Sequence, residues 1–129
     1  MAERSVPVAL QRGLQSLAMA LVAAQFFLAG AGAFGATSFD AHKTVGSVLV
    51  LIALLGLLAA ALARRFVTHA ALFLGVTVLQ FVLGTLGADT PWIGAFHGLN
   101  ALVVMGVGGA LARRVWTPPG ATAAVAAPA

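Results

Sequence analysis

His42 and His97 are the residues of this chain best suited to chemistry. Cysteine is absent, so nitrogen from histidine is the donor available for a transition metal, and histidine occurs at only three positions. Gln25-Phe26 precedes His42 by the same interval at which Gln80-Phe81 precedes His97. Sliding the sequence on itself until Gln25 falls on Gln80 superposes the two motifs without a gap, together with Leu28 on Leu83 and Gly32-Ala33 on Gly87-Ala88. Glutamine occurs four times and histidine three times in the chain, so this agreement carries more weight than coincidences among Leu, Ala and Gly. Two hairpins repeated in one orientation pack about a pseudo-two-fold axis along the membrane normal. Such an axis sets His42 and His97 face to face. Two imidazoles reaching one axis from opposite helices are what six-coordinate haem iron requires, one on each face of the porphyrin.

Neighbouring residues extend this expectation. Gly46 and Ala101 each follow a histidine by four residues, so both share its helical face and leave room for a flat ligand. Phe26, Phe81, Val48, Val103 and Met105 are expected to line the site and exclude water. Lys43 stands beside His42 as a cation for haem propionates, and Asn100, Gln25 and Gln80 are hydrogen-bond partners within the bundle. Gln and Asn also commonly join membrane helices without any ligand. His69 has no counterpart, because Leu14 occupies the equivalent position, and reads as an interfacial side chain. One spacing opposes exact equivalence. The interval from His42 to Arg64 is longer than that from His97 to Arg113, by about 9 Å at 1.5 Å per residue.

The elements that must hold these residues follow from composition. With 61% of residues hydrophobic and 8% charged, the chain cannot cover a core with polar surface, whereas lipid solvates an apolar exterior. The predicted class is all-α, an integral membrane four-helix bundle built from two repeated helical hairpins. Spans are expected at about 14–34, 42–64, 67–87 and 92–114, each near the roughly 20 residues that cross hydrocarbon. They make up a bundle over 14–115, preceded by a cytoplasmic segment, 1–13, and followed by a disordered Pro/Ala-rich cytoplasmic tail, 116–129. Thr37-Ser38 and Asp89-Thr90-Pro91 are the start signals of the second and fourth helices. Gly106, Gly108 and Gly109 are expected to permit close helix contact. Arg4, Arg12, the pair Arg64-Arg65 and the pair Arg113-Arg114 all fall on one side, and only Lys43 falls on the other. The positive-inside rule then puts both termini in the cytoplasm of a multi-pass cell-membrane protein. The basic residues are spread over helix ends rather than over one face, which argues against nucleic-acid binding.

The segments FDAHKTVGSVLVLIALLGLLAA and LQFVLGTLGADTPWIGAFHGLNALVVMGVGGALARR resemble one four-helix half of the haem A synthases. The chain also resembles small uncharacterised four-helix membrane proteins of high-GC bacteria. Each half of a haem A synthase carries one His on its second helix and one on its fourth, positions that match His42 and His97. The resemblance covers about residues 14–115 and implies a bound b-type haem and a homodimer that restores the eight-helix layout. Those enzymes have two halves in one chain and a Glu close to the His of the catalytic half. Here Glu3 is the only glutamate, so hydroxylation of a haem methyl group is not carried over.

Three functions compete. The first is a haem-b protein that moves electrons to an unidentified redox partner, or holds haem, near the outer face. The second is a cofactor-free structural or accessory subunit with incidental histidines. The third, a small transporter, ranks last because coupled transport generally needs an ionisable group in the membrane and no carboxylate lies between the helix ends. Neither a nucleophile–base pair nor a phosphate loop is present, which disfavours an independent enzyme.

Overall fold

The computed structural model describes residues 5–117, so the tail expectation falls outside the described residues apart from Trp116 and Thr117. Four helices follow one another: α1 (Ser5–Ala33), α2 (Asp40–Ala63), α3 (Val67–Gly87) and α4 (Pro91–Trp116). All four are long and apolar enough to cross a membrane. The shortest has 21 residues, about 31 Å at 1.5 Å per residue, which matches a hydrocarbon core of about 30 Å.

Helix α1 begins at Ser5, so most of the segment expected ahead of the first span is helical. Two side chains tie this extension down: Gln11 Nε2 donates to the Arg65 carbonyl at 3.2 Å, and Arg12 Nε donates to the Val115 carbonyl at 2.8 Å. At its other end α1 stops at Gly35, whose φ of +73° is open to a residue without a Cβ. Ala36 N–H bonds to Ala31 O and Gly35 N–H to Gly32 O, the paired bonds of a Schellman turn. The same pair of bonds closes α2, from Arg65 to Ala60 and from Arg64 to Ala61, but there Arg64 takes the left-handed conformation at φ 52°. Phe66 is also left-handed, so the α2–α3 turn carries two non-glycine residues at positive φ. The start signals hold in part. Thr90 precedes α4 with Pro91 in the first turn, whereas Phe39, not Ser38, precedes α2, and Ser38 Oγ donates to Asp40 instead.

Each helix packs on the two beside it in a closed ring, α1 on α2, α2 on α3, α3 on α4 and α4 on α1. Hence α2 and α4 face each other diagonally. The N-terminal part of α1, the α2–α3 turn and the C-terminal part of α4 gather at one end, through the Gln11 and Arg12 bonds and a third from Trp116 Nε1 to Ser16. We call this the arginine end; it holds Arg12, Arg64, Arg65, Arg113 and Arg114. The opposite, histidine end holds the α1–α2 and α3–α4 connections. The arginine half holds most of the buried core, with Ala18, Ala53, Ala60, Ala70, Phe73, Leu111 and Val115 nearly or wholly removed from the surface. Small side chains dominate this core because helices in lipid associate through close backbone approach. Gly108 meets that demand: a Cβ there would lie 2.7 Å from the Phe73 ring and 2.8 Å from Met19 Sδ. Gly106 and Gly109 do not, since a Cβ at either would meet nothing within 4 Å. Outside the core, large apolar side chains are exposed on every helix, among them Leu62 at 68% and Phe27 at 74%, an exterior suited to lipid.

Candidate two-histidine site

A cavity of about 960 Å³ occupies the histidine half of the bundle and is lined by all four helices. Its floor is one layer of side chains, Val22, Leu49, Thr77 and Val104, one from each helix. Above that floor His42 and His97 approach across the α2–α4 diagonal, their ring centroids 6.0 Å apart and the planes at 72°. An axial offset between the rings cannot exceed that distance. At least about 3 Å of the disparity in the arginine spacings therefore falls at the arginine end, where α4 continues past Arg113 to Trp116.

Each imidazole is held by the same backbone contact. His42 Nδ1 lies 3.2 Å from the Gln25 carbonyl, and His97 Nδ1 lies 2.9 Å from the Gln80 carbonyl, at the same sequence separation in both halves. A carbonyl oxygen can only accept, so Nδ1 carries the proton in both rings and Nε2 carries the lone pair. A backbone carbonyl on Nδ1 is the usual outer-shell support of a metal-binding histidine, with Nε2 as the donor atom. A metal–imidazole bond of about 2.0–2.1 Å on either side would set two ring centroids roughly 6 Å apart, close to what is seen.

The side chains around the rings differ between halves. Asn100 Nδ2 donates to the Val76 carbonyl at 3.1 Å and to Gln80 Oε1 at 2.8 Å. Those bonds orient the Gln80 amide with its nitrogen toward His97 Nε2, 3.2 Å away, where the lone pair receives it. Gln25 turns elsewhere: its Nε2 donates to the His42 carbonyl at 2.9 Å, and its Oε1 is buried without a hydrogen-bond partner.

Most expected site residues meet in this cavity: His42, His97, Gln25, Gln80, Gly46, Ala101, Lys43, Phe26 and Phe81 line it, and Asn100 reaches it through Gln80. Gly46 serves differently from expectation. A Cβ there would lie 2.8 Å from Gln25 Nε2, so its smallness seats the glutamine amide. Val48, Val103 and Met105 do not line the site. Val48 and Val103 each sit six residues beyond a histidine, well round the helix from it, and all three are exposed; Leu49 and Val104, seven residues beyond, face inward instead. Besides the floor residues, Gly84 and Phe39 escaped the sequence reading. Gly84 lets His97 lie against α3, since a Cβ there would be 2.8 Å from its Cε1, and Phe39 stacks edge-on to His42 with centroids 6.1 Å apart. Gly84 lies one turn after Gln80, a spacing that gives its position away. His69 stands at the arginine end in the first turn of α3, beside Phe66 and remote from the cavity.

Fold and site together define a four-helix protein suited to multi-pass insertion, with a largely apolar cavity and two opposed imidazoles at one end. Residues 25–86 match the model of a family of unknown function (DUF6220), under half of the chain. The matched stretch contains Gln25, His42 and Gln80 and ends before His97. No curated protein and no solved structure matches the chain.

Proposed function

We propose that the protein is a haem-b-binding integral membrane protein in which His42 and His97 are axial ligands, and that it transfers electrons or holds haem near the outer membrane face. The observation that carries this reading is the pair of rings 6.0 Å apart, each with Nδ1 committed to a carbonyl, so that Nε2 bears the lone pair, unpartnered on His42 and accepting from Gln80 on His97. Further support comes from ligand number. Among the described residues no three His, Cys, Asp or Glu side chains gather, so a metal held by this pair needs its other donors from elsewhere, and a porphyrin supplies four. The cavity, about 960 Å³, is at the upper end of the roughly 300–1,000 Å³ of small-molecule sites, and its walls are mostly apolar. Bound haem would supply one-electron chemistry, while the protein sets ligand orientation and water exclusion. Lys43 at the rim is a counter-charge for propionates.

The two-hairpin repeat is part of this proposal. It is supported by the cavity lining, where the shift that carries Gln25 onto Gln80 also carries Val22 onto Thr77 and Leu49 onto Val104. The concentration of arginine at one end favours cytoplasmic termini and an outward-facing histidine end. A homodimer would restore the eight-helix layout of the haem A synthases that the chain resembles.

A second reading has its own observation: both nitrogens of His97 are satisfied within the chain, as helix-joining polar groups would be. On that reading the protein is a cofactor-free accessory subunit. Visible spectra of detergent-purified protein, oxidised and dithionite-reduced, decide between them. The haem reading expects a Soret band with sharp reduced α and β bands, altered in His42→Ala and His97→Ala. Well-folded protein that stays colourless when expressed with haem and binds none added later would sink it.

A further inference from the structure

The two histidines are unequal, and the inequality is written in hydrogen bonds. In the second half a chain of donors ends on the imidazole: Asn100 gives to Gln80 Oε1, and Gln80 gives to His97 Nε2. Its direction is determined at the far end, because Asn100 Nδ2 also donates to the Val76 carbonyl, which only accepts. When Gln80 is laid on Gln25, Asn100 falls on Val45, which has no amide to give. Gln25 Oε1 is accordingly left buried and unpaired, Gln25 Nε2 is spent on a backbone carbonyl, and among the described residues His42 Nε2 has no hydrogen-bond partner.

An imidazole whose lone pair is already accepting a bond must give up that bond to ligate, whereas one with a free lone pair need not. A part-buried hydrogen bond from Gln80, itself held by a part-buried bond from Asn100, stands between His97 and a ligand. Resting on the haem-binding reading above, we infer that His42 is the tighter axial ligand, that Asn100 and Gln80 form a latch which competes with ligation by His97 and weakens it, and that the position opposite His42 is exchangeable, open to small neutral donors such as carbon monoxide or free imidazole. Gln80 and Asn100 are thus positioning residues. They act on His97 alone, since the bond that orients its ring uses the backbone carbonyl of Gln80, not its side chain.

The experiment compares purified, haem-supplied wild-type protein with His42→Ala, His97→Ala, Gln80→Leu and Asn100→Val, reading haem content, spin state and carbon monoxide binding to the reduced form. Asn100→Val places at position 100 the residue already found at position 45, and circular dichroism checks that each variant folds. The expected result is that His42→Ala loses haem affinity at least tenfold more than His97→Ala, as removal of the tighter ligand should. His97→Ala keeps haem in a high-spin form that takes carbon monoxide. Gln80→Leu and Asn100→Val release His97, become more low-spin, and bind carbon monoxide about tenfold more weakly than wild type. Equal haem loss in both histidine variants, or a wild-type affinity for carbon monoxide unchanged in both latch variants, overturns the inference and leaves the bis-histidine haem site standing. Failure of the folded wild type to bind any haem overturns both.

Discussion

Gly84 shows how much of the site depends on the absence of single atoms. The His97 ring rests where a side chain at position 84 would begin, and the Gln25 amide does the same over Gly46. On the proposed haem reading, Gly84→Ala is therefore expected to tilt His97 and lower haem affinity by about tenfold, the lower range for loss of a histidine's supporting contact, with helix content unchanged; haem titration followed at the Soret band measures it. A shift below twofold would mean the ring has room to spare. Two of the three errors of the lining prediction also belong to this scale. Val48 and Val103 differ from the true lining residues, Leu49 and Val104, by one residue, and one residue is about 100° of helix. Counting seven rather than six residues from each histidine would have selected the right pair, so the information was present in the chain.

Helices α3 and α4 come closest at the histidine end, where a Cβ on Gly87 would lie 2.6 Å from Gly94 Cα, an atom of the backbone that cannot step aside. Gly87→Ala should force the two helices apart and cost about 1–3 kcal/mol, read by detergent-denaturant unfolding followed by circular dichroism. Gly106→Ala, in mid-helix where a Cβ meets nothing, is expected to raise stability by about 0.5–1 kcal/mol and serves as the control of opposite sign. If both behave alike, the close approach does not govern this helix pair. The α2–α3 turn offers the opposite sign. Arg64 occupies a left-handed conformation costing a non-glycine residue about 1–2 kcal/mol, so Arg64→Gly should raise the unfolding free energy by about 1 kcal/mol, after allowance for glycine's greater freedom when unfolded. Gln15, which donates from a buried position to the Gly108 carbonyl at 2.9 Å, is a helix clamp of the kind that contributes about 0.6 kcal/mol in membrane proteins.

The cavity lies in the histidine half and most of the buried core in the arginine half, and the orientation of that division sets which side of a membrane the cavity would serve. Because the chain contains no cysteine, single introduced thiols report topology without background. Thr37→Cys, in the exposed α1–α2 connection, should react in intact cells with a membrane-impermeant maleimide, while Arg65→Cys should react only after permeabilisation. The reverse pattern would put the cavity on the cytoplasmic side and remove the outer-face role.

The number and order of the helices, each long and apolar enough to span a membrane, were legible in the chain, because about 20 consecutive apolar residues per segment stand out in a sequence. The pairing of His42 with His97 was legible too, since rare residues at a repeated spacing stand out against an apolar background. The start of α1 at Ser5 was not, as it depends on carbonyls of Arg65 and Val115 supplied from far along the chain. Nor was the inequality of the histidines, although Val45 and Asn100 were in view from the start. An asparagine becomes a latch only when packing aims one amide nitrogen at both Val76 O and Gln80 Oε1, and hydrogen-bond direction is settled by three-dimensional placement, not by residue type.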